Sequence, residues 1–129
     1  TEFKNKNVLI VDDSVVRGTT SQQIVQMARS AGANKVTFTS AAPPIRYPHV
    51  YGINMPSRNE LIAYNRNINE IEDTLLIDKM IYQEVEDLTK AITKGTDINK
   101  LDLSCFTGNY VTGTVTDEYL NWLEKTSLS

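Results

Sequence analysis

Two adjacent carboxylates, Asp12 and Asp13, followed by Ser14-Val15-Val16-Arg17-Gly18-Thr19-Thr20, gather the densest chemistry in this 129-residue chain. An ionised carboxylate only accepts hydrogen bonds, and it accepts several, so the acid pair suits the vicinal hydroxyls of a ribose. Its hard oxygens also suit Mg²⁺, which often keeps water and substrate phosphates in its shell. Ser14, Thr19 and Thr20 add hydroxyl donors, and Gly18 lets the backbone take positive φ or approach an anion closely. Arg17 either adds charge for that anion or points to solvent. The run as a whole fits a ribose 5-phosphate, with the diol at the acids and the anion at the loop. A bare acidic pair would equally fit an ordinary capped strand-to-helix turn.

The flanking sequence must put this run at a sheet edge. Val8-Leu9-Ile10-Val11 is a continuous apolar stretch of the kind found in parallel strands buried on both faces. Helical spacing predicts a helix over Ser21–Ser30 with Ile24, Met27, Ala28 and Ala31 on one face, and Gly32 just past its end. Lys35–Ala41 alternates as a second strand, which makes a βαβ unit. Ligands of open α/β sheets bind at the carboxyl edge of the strands, where a helix N-terminus offers free N–H groups and the positive end of its dipole. Ala42–Pro56, with four prolines, reads as irregular. Ser57-Arg58-Asn59-Glu60 has the capping-box pattern and predicts a helix from about Arg58. Further on, the pattern predicts a helix near Ile68–Thr74, a short strand at Met80–Tyr82 and a helix over Gln83–Lys94 stopped by Gly95. A polar turn follows at Thr96–Lys100, then a strand-like or irregular Leu103–Val111, then a helix over Asp117–Lys125 with Thr116 as its N-cap. The fold class is therefore α/β, Rossmann-like, with a mainly parallel sheet and C-terminal helices. Residues 1–56 would form the βαβ core and 57–129 a mostly helical region. So few strands make a thin sheet, so part of it is expected to lie outside this chain.

Composition narrows the classes. Hydrophobic residues are 40% and charged residues 22%, as in folded globular domains, and a formal charge of −3 argues against nonspecific nucleic-acid binding. The one cysteine, Cys105, excludes an intramolecular disulfide and suits a reducing compartment. No apolar run is long enough to span a bilayer, and Thr1–Asn7 is not a signal peptide, so a cytoplasmic location is expected. The abrupt start at Thr1 reads as a fragment boundary.

The thirteen residues Val8–Thr20 resemble the signature of the type I phosphoribosyltransferases, and the Val-Val-Arg-Gly-Thr-Thr ending resembles the version found in glutamine phosphoribosylpyrophosphate amidotransferases. Pro43–Pro48, Tyr51–Pro56, Arg58–Ala63, Met80–Gln83 and Phe106–Gly113 are similar to that family's downstream segments, so the resemblance runs from Asn7 to about Glu124. It implies that Asp12 and Asp13 contact the ribose hydroxyls and take part in Mg²⁺ binding, and that Ser14–Thr20 bind the 5-phosphate. It also implies the family's reaction, in which ammonia from glutamine displaces pyrophosphate at the anomeric carbon of phosphoribosylpyrophosphate in the first committed step of purine synthesis. No protein nucleophile is expected. Purine nucleotides as feedback inhibitors and a homo-oligomeric full-length enzyme are further implications, with no nucleic-acid or membrane partner. The family's glutaminase domain uses an N-terminal cysteine, which Thr1 is not, so the domain is expected to be absent and the chain inactive alone. Some members hold an iron–sulfur cluster with a Cys-x-x-Cys here; Asp102 stands at its first position, so no cluster is expected and Cys105 reads as a buried small residue.

Other residues read as structural. His49 lies in the Pro-rich loop without an evident acidic partner, and Arg46 and Arg58 suit either a phosphate or a salt bridge. Tyr47, Tyr51 and Tyr110 read as packing residues, Glu84, Glu86 and Asp87 as a solvated face, and Trp122 as the anchor of the last helix on the core or a neighbouring domain. Two other classes compete. A receiver-type signalling module would need an acid at the end of a later strand, where Lys35–Ala41 has none; a noncatalytic subunit-contact segment would need no ligand at all.

Overall fold

The computed structural model describes residues 2–52 and 57–126. Positions 53–56 of the Pro-rich stretch and of the resemblance lie outside the described residues.

Three parallel strands, β1 (Asn7–Asp12), β2 (Lys35–Ser40) and β3 (Lys79–Tyr82), form one sheet in the order β1-β2-β3. Helix α1 (Thr19–Ser30) connects β1 to β2, and α2 (Ile68–Leu75) precedes β3. Val36 and Phe38 of β2 and Met80 of β3 meet Val25 and Ala28 of α1 and Ile71 and Leu75 of α2 in one core. Cross-links fix the helices to the sheet: Gln22 Nε2 donates to the Thr74 carbonyl at 2.8 Å, and Asp78 accepts from the Val36 N–H and from Arg29, both at 2.7 Å.

The sequence predicts β1 buried on both faces, and the structure corrects this. Leu9 is 61% exposed and Val11 68%, and Ile81 on the same face is exposed too. Side chains alternate along a strand, so Val8 and Ile10 turn to the helices while Leu9 and Val11 face a side that no described element covers. Helix α1 also sits rotated from its expected face. Ser21, Val25 and Ala28 are buried, whereas Met27 and Ala31 are exposed and Ile24 is half-buried. The small Ser21 and Ala28 lie on the buried face with Val25, and the larger Met27 is turned away. Gly32, at φ 89°, follows the Ala31 C-cap as expected.

The capping box at Ser57 is present but caps a single 3-10 turn, Arg58–Glu60, and no longer helix follows. Leu61, Ile62 and Ala63 are three consecutive buried residues, and a continued helix would have turned one of them outward. The strand-like reading of Leu103–Val111 is likewise replaced by one helical turn, α4 (Ser104–Thr107), closed by Gly108 at φ 76°, whose N–H donates to the Ser104 carbonyl at 2.8 Å. Between them α3 (Val85–Thr93) has no buried residue, and Glu84, Glu86 and Asp87 are exposed. Helix α5 (Asp117–Thr126) follows Thr116, whose Oγ1 accepts from the Tyr119 N–H as expected of its N-cap. It packs through Leu120; Trp122 is 57% exposed and stacks on Tyr119, so it does not anchor the helix to this core.

Candidate functional site

β1 ends at Asp12 and α1 begins at Thr19, so the loop between them crosses the carboxyl edge of the sheet. Neighbouring β2 pins its start: the Ala41 N–H donates to the Asp12 carbonyl at 3.0 Å and the Ala42 N–H to the Asp13 carbonyl at 2.9 Å. Asp12 Oδ1 accepts from the Asp13 N–H at 2.9 Å, and Asp13 Oδ1 from the Ser14 hydroxyl at 3.2 Å. Both acids are thereby oriented while each keeps an oxygen for a ligand. Val15 turns the other way into the core, so its contribution at the loop is its backbone.

Gly18 closes the loop. Its φ of 83° belongs to glycine, and its carbonyl accepts the first helical bond, from Gln22, at 2.8 Å. It brings no side chain to cap α1, and the N–H groups of Thr19, Thr20 and Ser21 have no partner within the helix. Asp12, Asp13, Ser14, Val16, Arg17, Thr19, Thr20 and Ser21 together line a cleft of about 280 Å³. The structure thus brings Asp12, Asp13, Ser14, Val16, Arg17, Thr19 and Thr20 to one cleft at the sheet edge, while Val15 turns into the core and Gly18 shapes the loop without lining the cleft. Arg17 reaches sideways, its Nε 3.2 Å from Glu60 Oε1.

The cleft offers two carboxylates and hydroxyls as hard oxygen donors, and among the described residues no group of three or more His, Cys, Asp or Glu is assembled to hold a metal. That donor set fits a cation held partly by substrate and water, as Mg²⁺ is.

Other candidates have structural partners. His49, expected to lack an acidic partner, has one: Asp102 Oδ2 lies 3.1 Å from its Nε2, and its ring meets Tyr51 edge to face. The two residues are 53 positions apart, and no local pattern signals the pair. Cys105 is half-buried and burial raises its thiol pKa, the opposite of an activated thiolate; its carbonyl accepts from the Arg46 and Tyr47 N–H groups. Arg46 Nη1 donates to the Ala63 and Arg66 carbonyls, and Arg58 is buried against Glu124. The Tyr110 hydroxyl donates to the Pro48 carbonyl at 2.7 Å, and burial pushes its pKa up to about 12. β2 and β3 end in Ser40 and Tyr82, neither of them the acid that a receiver module would need.

No family model matches the chain. It is 60% identical over 120 residues to the amidophosphoribosyltransferase of Haemophilus influenzae, covering 92% of this chain and 24% of that protein. It is 52% identical over 124 residues to that of Escherichia coli, covering 95% of this chain and 25% of the relative. The solved glutamine phosphoribosylpyrophosphate amidotransferase from B. subtilis, complexed with ADP and GMP, superposes with a TM-score of 0.75 at 41% identity, over 84% of this chain and 24% of that one. A structure described as the allosteric regulatory enzyme of purine biosynthesis gives 0.78 at 40% identity, over 94% and 26%. The chain therefore spans about a quarter of the length of these relatives. Over nearly all of its own length it is homologous to a stretch of the amidophosphoribosyltransferases, and its parallel sheet with flanking helices is type I phosphoribosyltransferase architecture.

Proposed function

We propose that this chain supplies the ribose 5-phosphate site of an amidophosphoribosyltransferase, in which glutamine-derived ammonia displaces pyrophosphate from phosphoribosylpyrophosphate to give 5-phosphoribosylamine. One observation carries the reading: the acid pair and the uncapped N-terminus of α1 share a single cleft at the sheet's carboxyl edge. The 5-phosphate sits on the N–H groups and hydroxyls of Ser14–Thr20, where the helix dipole favours negative charge. Asp12 and Asp13 accept from the ribose hydroxyls and so fix the sugar's orientation relative to the incoming nucleophile. Bound Mg²⁺ would be held by the same carboxylates and would supply charge stabilisation for the departing pyrophosphate. The displacement develops oxocarbenium character, so these residues act by positioning and charge, with no protein nucleophile.

The loop reads only the phosphate and the sugar. A purine nucleotide presents the same 5-phosphate and ribose, so it would compete for this cleft as a feedback inhibitor. The exposed Leu9, Val11 and Ile81 face supports covering elements from other parts of a larger, oligomeric protein, which would also provide the pyrophosphate site and the glutaminase. Similarity to biosynthetic amidophosphoribosyltransferases supports a cytoplasmic location; separately, among the described residues no helix is long and apolar enough to cross a membrane.

Calorimetric titration with phosphoribosylpyrophosphate, and separately AMP, in the presence of Mg²⁺ tests the site. Saturable binding by the wild type, lost in the Asp12→Asn, Asp13→Asn double variant, is the expected result. A folded chain that binds neither ligand would reduce this stretch to a structural or subunit-contact segment.

A further inference from the structure

The phosphate loop does not stand alone on its sheet. The Ile62 N–H donates to the Val16 carbonyl at 2.9 Å, a bond between residues far apart in sequence that fixes the middle of the loop. Ile62 also fills the space beside Gly18: a Cβ placed on that glycine would lie 2.5 Å from Ile62 Cδ1. Two residues earlier, Glu60 meets Arg17 of the loop, while its other oxygen accepts from the Ser57 N–H and hydroxyl. Three successive parts of the loop, Val16, Arg17 and Gly18, thus rest on one strip, Ser57–Ala63.

That strip has its own anchor. The Arg58 side chain is only 10% exposed and donates from Nε to Glu124 Oε1 at 2.9 Å and from Nη2 to Glu124 Oε2 at 3.2 Å. The Arg58 backbone N–H donates to the same Oε1, Asn121 accepts a further bond from Nη2, and Asp117 lies 3.1 Å from Nη1. The Tyr64 ring lies under the guanidinium at 5.7 Å. Fork-to-fork pairing of this kind fixes both position and orientation. A solvated surface arginine would fix neither.

We propose that Ser57–Ala63 is the seat of the phosphate loop, with Ile62 and Arg58 as positioning residues: Ile62 sets the loop backbone, and Arg58, clamped by Glu124, holds the strip under it. The proposal rests on the reading of the loop as a 5-phosphate site. Neither side chain lines the cleft, so they act on ligand affinity only through the loop. Displacing anion donors by a fraction of an ångström weakens binding without unfolding the sheet.

The test compares the full chain with Glu124→Leu, which removes the clamp, Glu124→Gln, which keeps an acceptor for Arg58, and Ile62→Val, which removes the methyl nearest Gly18. Two readouts are taken: calorimetric affinity for ribose 5-phosphate, and amide hydrogen exchange at Ile62 against Phe38 of the central strand. Glu124→Leu should bind roughly tenfold more weakly, the order of one net hydrogen bond to a charged group. Its Ile62 amide should exchange faster by a similar factor while Phe38 stays protected, and Glu124→Gln should recover much of both. Ile62→Val should bind several-fold more weakly with the sheet intact, and it decides the matter if Glu124→Leu does not fold. Wild-type affinity in both Glu124→Leu and Ile62→Val overturns the proposal, as does faster Ile62 exchange with unchanged affinity. If the wild type itself fails to bind ribose 5-phosphate, the 5-phosphate reading falls first and takes this one with it.

Discussion

Gly18 and Ile62 occupy one space: the glycine at φ 83° leaves room that the isoleucine's Cδ1 fills, 2.5 Å from where a Cβ would stand. A side chain at this position therefore meets two obstacles, its own backbone conformation and its neighbour. Gly18→Ala should lose about 1–2 kcal/mol from the left-handed conformation alone, and more from moving Ile62. Urea denaturation of Gly18→Ala, Ile62→Val and the double variant measures the two parts. The double variant should be more stable than the sum of the singles predicts, because removing Cδ1 relieves the contact. Strict additivity would mean that the glycine is required for φ only.

His49 and Asp102 join the Pro-rich loop to the turn before α4, with Asp102 Oδ1 accepting the Ser104 N–H at 2.9 Å and Oδ2 facing His49. Asp102→Ala should cost about 1 kcal/mol for the lost N–H acceptor. It should also change the chemical shift of the His49 ring, since the nearest acceptor or counter-charge disappears. His49→Ala should leave the Ser104 bond in place and cost less. Thermal unfolding with histidine NMR compares the two; equal losses would mean that the histidine contact dominates.

The order of elements over residues 8–20 and the strand after them was legible because its signals are local: an apolar run, two acids, a glycine and a helix follow one another, and β1 ends at Asp12 as expected, although α1 starts at Thr19, two residues before the expected Ser21. The parts that escaped the sequence depend on distant partners. The capping box at Ser57 is local and forms, but the buried Leu61–Ile62–Ala63 overrides the helix it announces. The rotation of α1 buries the small Ser21 and Ala28 and exposes Met27, which a hydrophobicity pattern that weights Met27 does not show. His49 with Asp102, and Arg58 with Glu124, are pairs 53 and 66 residues apart, and only folding brings them together. The cover expected for both faces of β1 failed for another reason: Leu9 and Val11 have the composition of a buried face, but no described element packs on it.

Arg46 holds the turn after the buried strip, with Nη1 donating to the Ala63 carbonyl at 2.8 Å and to the Arg66 carbonyl at 2.9 Å. Arg46→Ala leaves two carbonyls short of a charged donor and should destabilise by about 1.5–3 kcal/mol. Arg46→Lys should recover little, because an ammonium on a flexible stem does not reproduce the planar geometry. Denaturant midpoints of the three proteins check this. A lysine variant as stable as the wild type would show that charge alone suffices.

Asp78 ties β2 to α1, accepting from the Val36 N–H and from Arg29. The Val36 N–H first, and then Arg29, hold its carboxyl below the usual value. The depressed folded pKa means that the ionised form is favoured by folding. Its contribution is fully present above the unfolded aspartate value of about 3.9 and is lost as pH falls through the lower folded value. The stability of the wild type should therefore fall on acidification below about pH 4. In Asp78→Asn that limb should be shallower, though not flat, because Asp102 and Glu124 are held low in the same way by Ser104 and by Arg58. The neutral-pH stability of the variant should be lower, since an amide accepts the same N–H more weakly and offers Arg29 no charge. Urea unfolding at a series of pH values from 2 to 7 reads both effects at once. An acid limb of unchanged steepness in Asp78→Asn would mean that the Val36 and Arg29 bonds do not distinguish the ionised carboxylate from the neutral one.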